Sequence, residues 1–189
     1  PVASNGHLDA TTDGVESKVR VNRVHLEEDT ARLLHRNGSG EAYTLLDANR
    51  AGVPLMEIVS EPDIGSAAEA RAYLTSLHTI LRYIGVSTAN MEEGNFRCDA
   101  NVSVRPVGDQ ELGAKVEVKN MNSFRAVYGA LQFEIARQTA LARDGVRIVQ
   151  ETRGWVDDEE ITVSQRSKEY ASDYRYFPEP DLPPLAIDC

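Results

Sequence analysis

Cysteine is scarce in this chain. Cys98 and Cys189 are the two among 189 residues, and neither sits in a CxxC or beside a histidine at metal spacing. Neither a disulfide framework nor a zinc site is indicated, and Cys98 reads as a small core residue. Also missing is any apolar run near the roughly 20 residues that span a bilayer. No charged-then-apolar amino-terminal segment of the secretory kind is present, so the expectation is a cytoplasmic setting with no membrane. Positive charge is outweighed, 20 Lys and Arg against 30 Asp and Glu, for a net charge of −10. Counterion release on nucleic acid needs clustered cations, so a general nucleic-acid grip is excluded and any RNA contact is expected to be local. There is no internal repeat and no low-complexity tract. The remaining composition, 41% hydrophobic and 26% charged, is that of one sizeable globular domain with a real core.

What the chain has instead is charge inside strands. Arg97-Cys98-Asp99-Ala100-Asn101-Val102-Ser103-Val104-Arg105 and Lys115-Val116-Glu117-Val118-Lys119-Asn120 both alternate polar with apolar residues. Successive strand side chains point to opposite faces. Arg97, Asp99, Asn101, Ser103 and Arg105 are therefore expected on one side and Cys98, Ala100, Val102 and Val104 on the other, with Lys115, Glu117 and Lys119 opposing Val116 and Val118. A face mixing carboxylates with guanidinium and ammonium has two readings. It is an ordinary solvated sheet surface, or it is a site for Mg²⁺ and phosphate, because hard cations take carboxylate oxygens and phosphoryl oxygens take Arg and Lys.

Around these strands, Lys18 to Leu26 reads as a strand interrupted near Asn22-Arg23, and Tyr43 to Leu46 as a short strand returning after the glycine turn Arg36–Gly40, a hairpin. Asp47–Gly52 is a second turn, and Val53 to Val59 is extended until Glu61-Pro62-Asp63. Ser66 with Glu69 makes a capping box, and Ala70, Tyr73, Leu74, Leu77, Ile80, Leu81 and Ile84 follow helical spacing to Gly85. A second helix starts near Ser123, with Phe124, Val127, Tyr128, Leu131, Ile135 and Ala142 on one stripe, and ends by Gly145. Val146 to Thr152 and Ile161 to Val163 read as strands, followed by a polar, proline-terminated loop. Few βαβ units among many strands predict an α+β fold, a mostly antiparallel sheet with two long helices.

Six stretches carry a resemblance. They are Val24–Thr30 (VHLEEDT); Asn49–Asp63 (NRAGVPLMEIVSEPD); Met91–Gly94 with Arg97–Asn101; Lys119–Phe124 (KNMNSF); Gln150–Trp155 (QETRGW); and Arg166–Glu169 with Asp173–Leu182. In this order they resemble the GatB family of the aspartyl/glutamyl-tRNA amidotransferases, over nearly the whole chain from about Val19. The resemblance implies residues 1–189 are a partial catalytic (cradle) domain with a fold similar to the glutamine synthetase and guanido kinase class. It also implies that the amino-terminal strand and the carboxy-terminal helical and tail domains are absent. Beginning at Pro1 and stopping five residues after Pro183-Pro184 fits a fragment, itself expected to be inactive. The implied activity is a ligase reaction on Glu-tRNA(Gln) or Asp-tRNA(Asn). ATP phosphorylates the side-chain carboxylate, and ammonia from a separate amidase subunit (GatA) displaces the phosphate, with a small third subunit (GatC) bracing a heterotrimer. A carboxylate is a poor electrophile at neutral pH, so it needs activation, and charge on the phosphoryl group must be met by Mg²⁺ and cationic side chains.

By the same resemblance, Glu28 and Glu117 fall where the family has acidic metal ligands, with Glu27 and Asp99 near enough in motif to join them. Further expected ligands, an acidic residue and a His, would lie upstream of Pro1. Taken alone, Glu27-Glu28-Asp29 is a solvated turn and Glu117 a cross-strand partner of Lys115 or Lys119. Arg97, Lys119 and Arg153 are candidates for phosphate contacts, Arg as a bidentate donor and Lys as a point charge; each is equally a structural ion pair. Asn101 is a candidate to position substrate, together with Arg97 and Lys119 at the nucleotide, whereas Asn120 and Asn122 read better as helix caps. Arg166–Glu169 and Asp173–Phe177 mix aromatics with cations, suited to single-stranded RNA or to packing on their own domain. Gly94 and Gly154 allow either close backbone approach or a simple turn. His7, His25, His35 and His78 form no metal spacing, and His78 reads as structural. Gln165 stands where the family has Met, and the Arg36–Glu41 turn is longer than in many relatives. The alternative function is a tRNA-binding or subunit-assembly segment, and a third is a carboxylate phosphotransferase on a small molecule.

Overall fold

The computed structural model describes residues 1–36 and 42–167, with the backbone alone at Arg166 and Ser167. Residues 37–41 and 168–189 lie outside the described residues, and with them the readings of the glycine turn, of Asp173–Phe177 and of Cys189. Among the described residues eleven elements follow one another: β1 (Ala3–Thr12), β2 (Val15–Glu28), β3 (Arg32–Arg36), β4 (Tyr43–Asp47), β5 (Pro54–Ser60), α1 (Ala67–Tyr83), β6 (Ala100–Val102), β7 (Val116–Lys119), α2 (Phe124–Arg143), β8 (Glu151–Val156) and β9 (Ile161–Ser167). The strands form a three-stranded sheet β1-β2-β5, the β3-β4 hairpin and a four-stranded sheet β6-β7-β8-β9. This is the expected α+β architecture. Pairing is antiparallel except for β7 and β8, which run parallel because α2 lies between them in sequence.

Both helices start where their caps require. Ser66 Oγ accepts the Glu69 amide at 3.1 Å, and Ser123 Oγ accepts the Ala126 amide at 3.0 Å. Each cap contributes about 1 kcal/mol. The return arm of the first capping box is shifted by one residue, since Glu69 Oε2 accepts from the Gly65 amide and not from Ser66. Capping of α2 belongs to Ser123, not to Asn120 or Asn122; Asn120 adopts φ 65°, the left-handed turn that ends β7.

Each sheet is covered on one face. Ala67, Ala70, Tyr73 and Leu74 of α1 bury Ala10 and Val19, while Val127, Ala130 and Leu131 of α2 bury Val102, Val116, Val118 and Trp155, all in one continuous core. A fully buried valine contributes about 1.5–3 kcal/mol. Gly129 brings α2 down onto the sheet: a Cβ there would stand 3.1 Å from Trp155 Cζ2.

Three expectations change. The strand anticipated over Arg97–Arg105 is confined to Ala100–Val102, since β7 is four residues long and offers three registers. The strand anticipated from Val146 starts at Glu151. Val146 still closes the helix end through its amide to Leu141 O at 2.9 Å, and the ladder begins only where Val116 faces Glu151. The strand β1 is additional, paired along nearly all of the first half of β2. The interruption expected near Asn22 is a register shift between Val21 and Arg23.

Candidate functional site

The polar alternation in the sequence becomes the sheet face turned away from α2, open at Asp99 and Asn101 and closed over at Thr152. Asn101 of β6 stands opposite Glu117 of β7, and Glu117 is in register with Thr152 of β8, while Val102, Val116 and Val118 point the other way into the core under α2. Exposure alternates from Arg97 to Val102, so Arg97, Asp99 and Asn101 turn outward although only the last of these lies in the ladder. Cys98 turns inward, and burial first, with Asp99 adding, pushes its thiol up to about 12. It is a core residue, as its neighbours suggested.

On this face Lys119 holds the centre. Its Nζ lies 3.1 Å from Asp99 Oδ2 and 3.4 Å from Glu117 Oε1. The other carboxylate oxygen of Glu117 accepts the Thr152 hydroxyl at 3.0 Å. Burial opposes the charge on Lys119, but Asp99 and then Glu117 more than offset it and raise its pKa above the ordinary lysine value. Glu117 side-chain exposure is 17%, against 34% for Lys119 and 53% for Asp99, so the pair opens to solvent on the Asp99 side. Gly154 borders the face; the Gln165 amide packs over it and the Asn120 amide beside it, where a Cβ would collide.

A second polar cluster joins distant segments. Asp29, just past β2, accepts from Arg50 Nε at 2.8 Å and from Arg97 Nη2 at 2.9 Å. The Arg50 hydrogen bond, opposed by burial and aided by Arg97, holds the Asp29 carboxyl below its usual range. Arg50 also reaches Asn95 Oδ1 at 3.3 Å, beside the left-handed Gly94. Arg97 is thus anchored at one nitrogen, with its side chain 56% exposed.

The other candidates go elsewhere. Cross-strand partners share a face, and the register shift at Asn22 puts Arg23, His25 and Glu27 on the side of Leu55, Glu57 and Val59, opposite to Val24 and Leu26. Glu27 and Glu28 therefore leave β2 from opposite faces. The acidic neighbour of Glu27 across the ladder is Glu57, which is directly opposite His25 and 3.8 Å from Arg23 Nη2. Sequence reading did not single out Glu57. Among the described residues no group of three or more His, Cys, Asp or Glu side chains converges as a metal ion would require. Strand parity turns Glu27 and Glu28 to opposite faces of β2, while Asp99 and Glu117 lie on one face with Lys119 Nζ against both.

Arg153 lies away from the Lys119 face. It lies on the helix side of the sheet with Trp155, and its guanidinium is taken up there. Nε donates to Thr162 Oγ1 at 2.8 Å, Nη1 to Glu151 Oε1 at 2.8 Å and Nη2 to Thr162 O at 2.6 Å, with Glu134 Oε2 at 3.6 Å from Nε. It is a structural ion pair, one of the two alternatives. An open hollow of about 500 Å³ between the end of α1 and the start of α2 is lined by His78, Arg82, Met91, Ser123 and Phe124, and by none of the predicted catalytic, nucleotide or metal residues. His78 sits edge-on to Phe124 with centroids 5.5 Å apart, a packing role.

With this geometry in hand, residues 1–189 match, end to end, the family described as the GatB/GatE catalytic domain. The chain belongs to that family. The GatB-type subunit of the aspartyl/glutamyl-tRNA(Asn/Gln) amidotransferase of Dehalococcoides mccartyi strain CBDB1 is 62% identical over 190 residues, covering 100% of this chain and 39% of that protein. The namesake from Thermomicrobium roseum is 60% identical over 187 residues, 99% of this chain and 39% of its own length. That from Carboxydothermus hydrogenoformans is 54% identical over 189 residues, again 39% of its length. This GatB/GatE domain thus spans about two fifths of such relatives. Among the described residues, no helix is long and apolar enough to cross a membrane.

Proposed function

We propose that this domain is the kinase and transamidase portion of a cytoplasmic tRNA-dependent amidotransferase, acting on Glu-tRNA(Gln), Asp-tRNA(Asn) or both, with ATP accompanied by Mg²⁺. The observation that carries the reading is the sheet face away from α2 that brings together Asn101, Asp99, Glu117, Lys119 and Thr152, in a chain that matches a catalytic-domain family over its full length. A lysine held against two carboxylates, partly shielded from water, is a charge arrangement that suits activation of a carboxylate by phosphoryl transfer.

The residues support particular tasks. Lys119 supplies positive charge where a carboxylate becomes an acyl phosphate, and Asn101, opposite Glu117, offers an amide to orient the substrate. Arg97, tethered by Asp29, leaves guanidinium donors open toward a phosphate. Mg²⁺ enters as the companion of ATP, neutralising phosphate charge, with the described residues supplying no preformed cage for it. An amidase subunit (GatA) that delivers ammonia and a small bracing subunit (GatC) complete the complex in this reading, and the acceptor end of the misacylated tRNA is the RNA partner.

The test is amidation and ATP hydrolysis by the full-length subunit assembled with its partners. ATP turnover requiring both Mg²⁺ and misacylated tRNA supports the reading. Binding of tRNA or subunits without turnover selects an assembly or tRNA-binding segment, and turnover with free glutamate selects a small-molecule phosphotransferase.

A further inference from the structure

Gly154 keeps an ordinary strand backbone, so no left-handed turn explains why a side chain is missing there; space does. The room is taken by two side-chain amides. A Cβ on Gly154 would stand 3.0 Å from Asn120 Nδ2 and would overlap Gln165 Nε2. In both cases the atom turned to the glycine is the amide nitrogen, a donor. We propose that Asn120 and Gln165 form a donor pair for the acyl group of the substrate, holding the carboxyl oxygen that is not phosphorylated, at the edge of the face occupied by Lys119.

Several observations converge on this. Gly154 is in register with Lys119 across the parallel β7-β8 pair, two residues on from Thr152, so the amides stand on the same face as the ammonium. Lys119 Nζ leans the other way, to Asp99 and Glu117, which leaves its β8 side to the amides. Asn120 ends β7 with φ 65°, a conformation that asparagine adopts at some cost. Gln165 is the extra residue of a bulge in β9, between Ser164 opposite Arg153 and Arg166 opposite Thr152, and bulges re-aim side chains. Gly154 is buried beneath the two amides while Asn120 and Gln165 are exposed, and among the described residues neither amide nitrogen has a hydrogen-bond acceptor. Two donors turned to one point with no acceptor between them fit one ligand oxygen. Neutral donors suit an oxygen that stays a carbonyl, whereas the ammonium suits the phosphoryl end. In the amidation step the lone pair of ammonia forms the C–N bond and the carbonyl π pair moves onto this oxygen. It returns as phosphate leaves with the C–O pair, and the nitrogen gives its surplus proton to the phosphate. Donors placed beforehand at that oxygen cost no reorganisation. The inference rests on the transamidation reading for the identity of the substrate.

The test is binding by the full-length subunit assembled with its partners, without ATP, of Glu-tRNA(Gln) and Asp-tRNA(Asn) against the same tRNAs uncharged. The ratio of the uncharged to the charged Kd isolates contacts to the acyl group. Gln165→Met, of similar length without the amide, should lower this ratio about 3- to 10-fold, which is what one neutral hydrogen bond contributes. Asn120→Gly, which suits φ 65°, should lower it by as much. Gly154→Ala, which displaces both amides, should lower it at least as far as either. Binding of uncharged tRNA should stay at the wild-type level in all three. A wild type that does not distinguish charged from uncharged tRNA overturns the proposal, as does an unchanged ratio in either Gln165→Met or Asn120→Gly, or a loss that falls equally on charged and uncharged tRNA. Amidation is followed separately. A wild type that discriminates and does not amidate counts against the transamidation reading alone, and amidation that persists with an unmoved ratio counts against the amide pair alone.

Discussion

Thr152 donates its hydroxyl to Glu117 Oε2 at 3.0 Å across the parallel β7-β8 pair, two residues 35 positions apart in sequence. A hydrogen bond to a charged group contributes about 1.5–3 kcal/mol. Thr152→Val keeps the shape and removes the donor, so amidation by the assembled full-length subunit should fall by about 10- to 100-fold. Thr152→Ser should restore most of it. Melting temperature, read in parallel, separates this from unfolding; equal activity in the Val and wild-type proteins refutes the role of the hydroxyl.

Asp29 gathers Arg50 and Arg97 from loops 21 and 68 residues away. Both arginines are well exposed, so each pair contributes at most about 1 kcal/mol. Asp29→Asn should therefore leave global stability nearly intact while freeing the segment around Arg97. Amide hydrogen exchange over Phe96–Asp99 is the readout, expected to quicken several-fold; unchanged exchange together with a large loss of stability contradicts this assignment.

The Arg20–Asp63 pair ties β2 to the turn before α1, with Arg20 Nη2 2.6 Å from Asp63 Oδ1. Hydrogen bonds from the Arg20 side chain and backbone lower the Asp63 pKa from 3.8 to about 2. A carboxyl depressed in the folded state stabilises it fully above its unfolded pKa and loses that contribution as pH falls through the folded one. The difference in melting temperature between wild type and Asp63→Asn should thus be constant above about pH 5 and close between about pH 4 and pH 2. A difference that persists unchanged at pH 2 removes Asp63 as its source.

Strand parity made the outward set Arg97, Asp99, Asn101, Glu117 and Lys119 legible, because two faces are the sole options for an extended chain. The helices were legible from their serine caps and apolar stripes. Which face each helix covers was not. In β8 both faces carry polar residues, so nothing in Glu151-Thr152-Arg153 says that Arg153 turns toward α2 and Thr152 away. The signal lay on α2: Glu134 and Gln138 fall on the same helical stripe as Val127 and Leu131, and polar residues inside an apolar stripe call for polar partners on the strand below. The separation of Glu27 from Glu28 likewise depends on the register shift at Asn22, which a motif comparison does not register.

Glu134 is wholly buried and accepts from Arg137 at 2.6 and 3.0 Å, from Gln138 at 2.8 Å and from the Thr162 hydroxyl at 3.0 Å. Arg153 completes the cluster at 3.6 Å. Removing one member of a buried ion pair costs about 3–5 kcal/mol, since the remaining charges are left without compensation. Glu134→Ala should lower the urea midpoint of the domain at unchanged slope, the shift multiplied by the slope giving that amount. Glu134→Gln, which keeps the volume and an acceptor, should recover part of it. Because Glu134 is on the sheet-facing side of α2 and the Lys119 face is on the far side of the sheet, a mild variant such as Glu134→Gln should weaken folding more than it weakens amidation by the fraction that remains folded. Activity per folded molecule that drops as far as it does in Thr152→Val would mean that the two faces of the sheet are coupled, and the division between a structural and a chemical side would have to be abandoned.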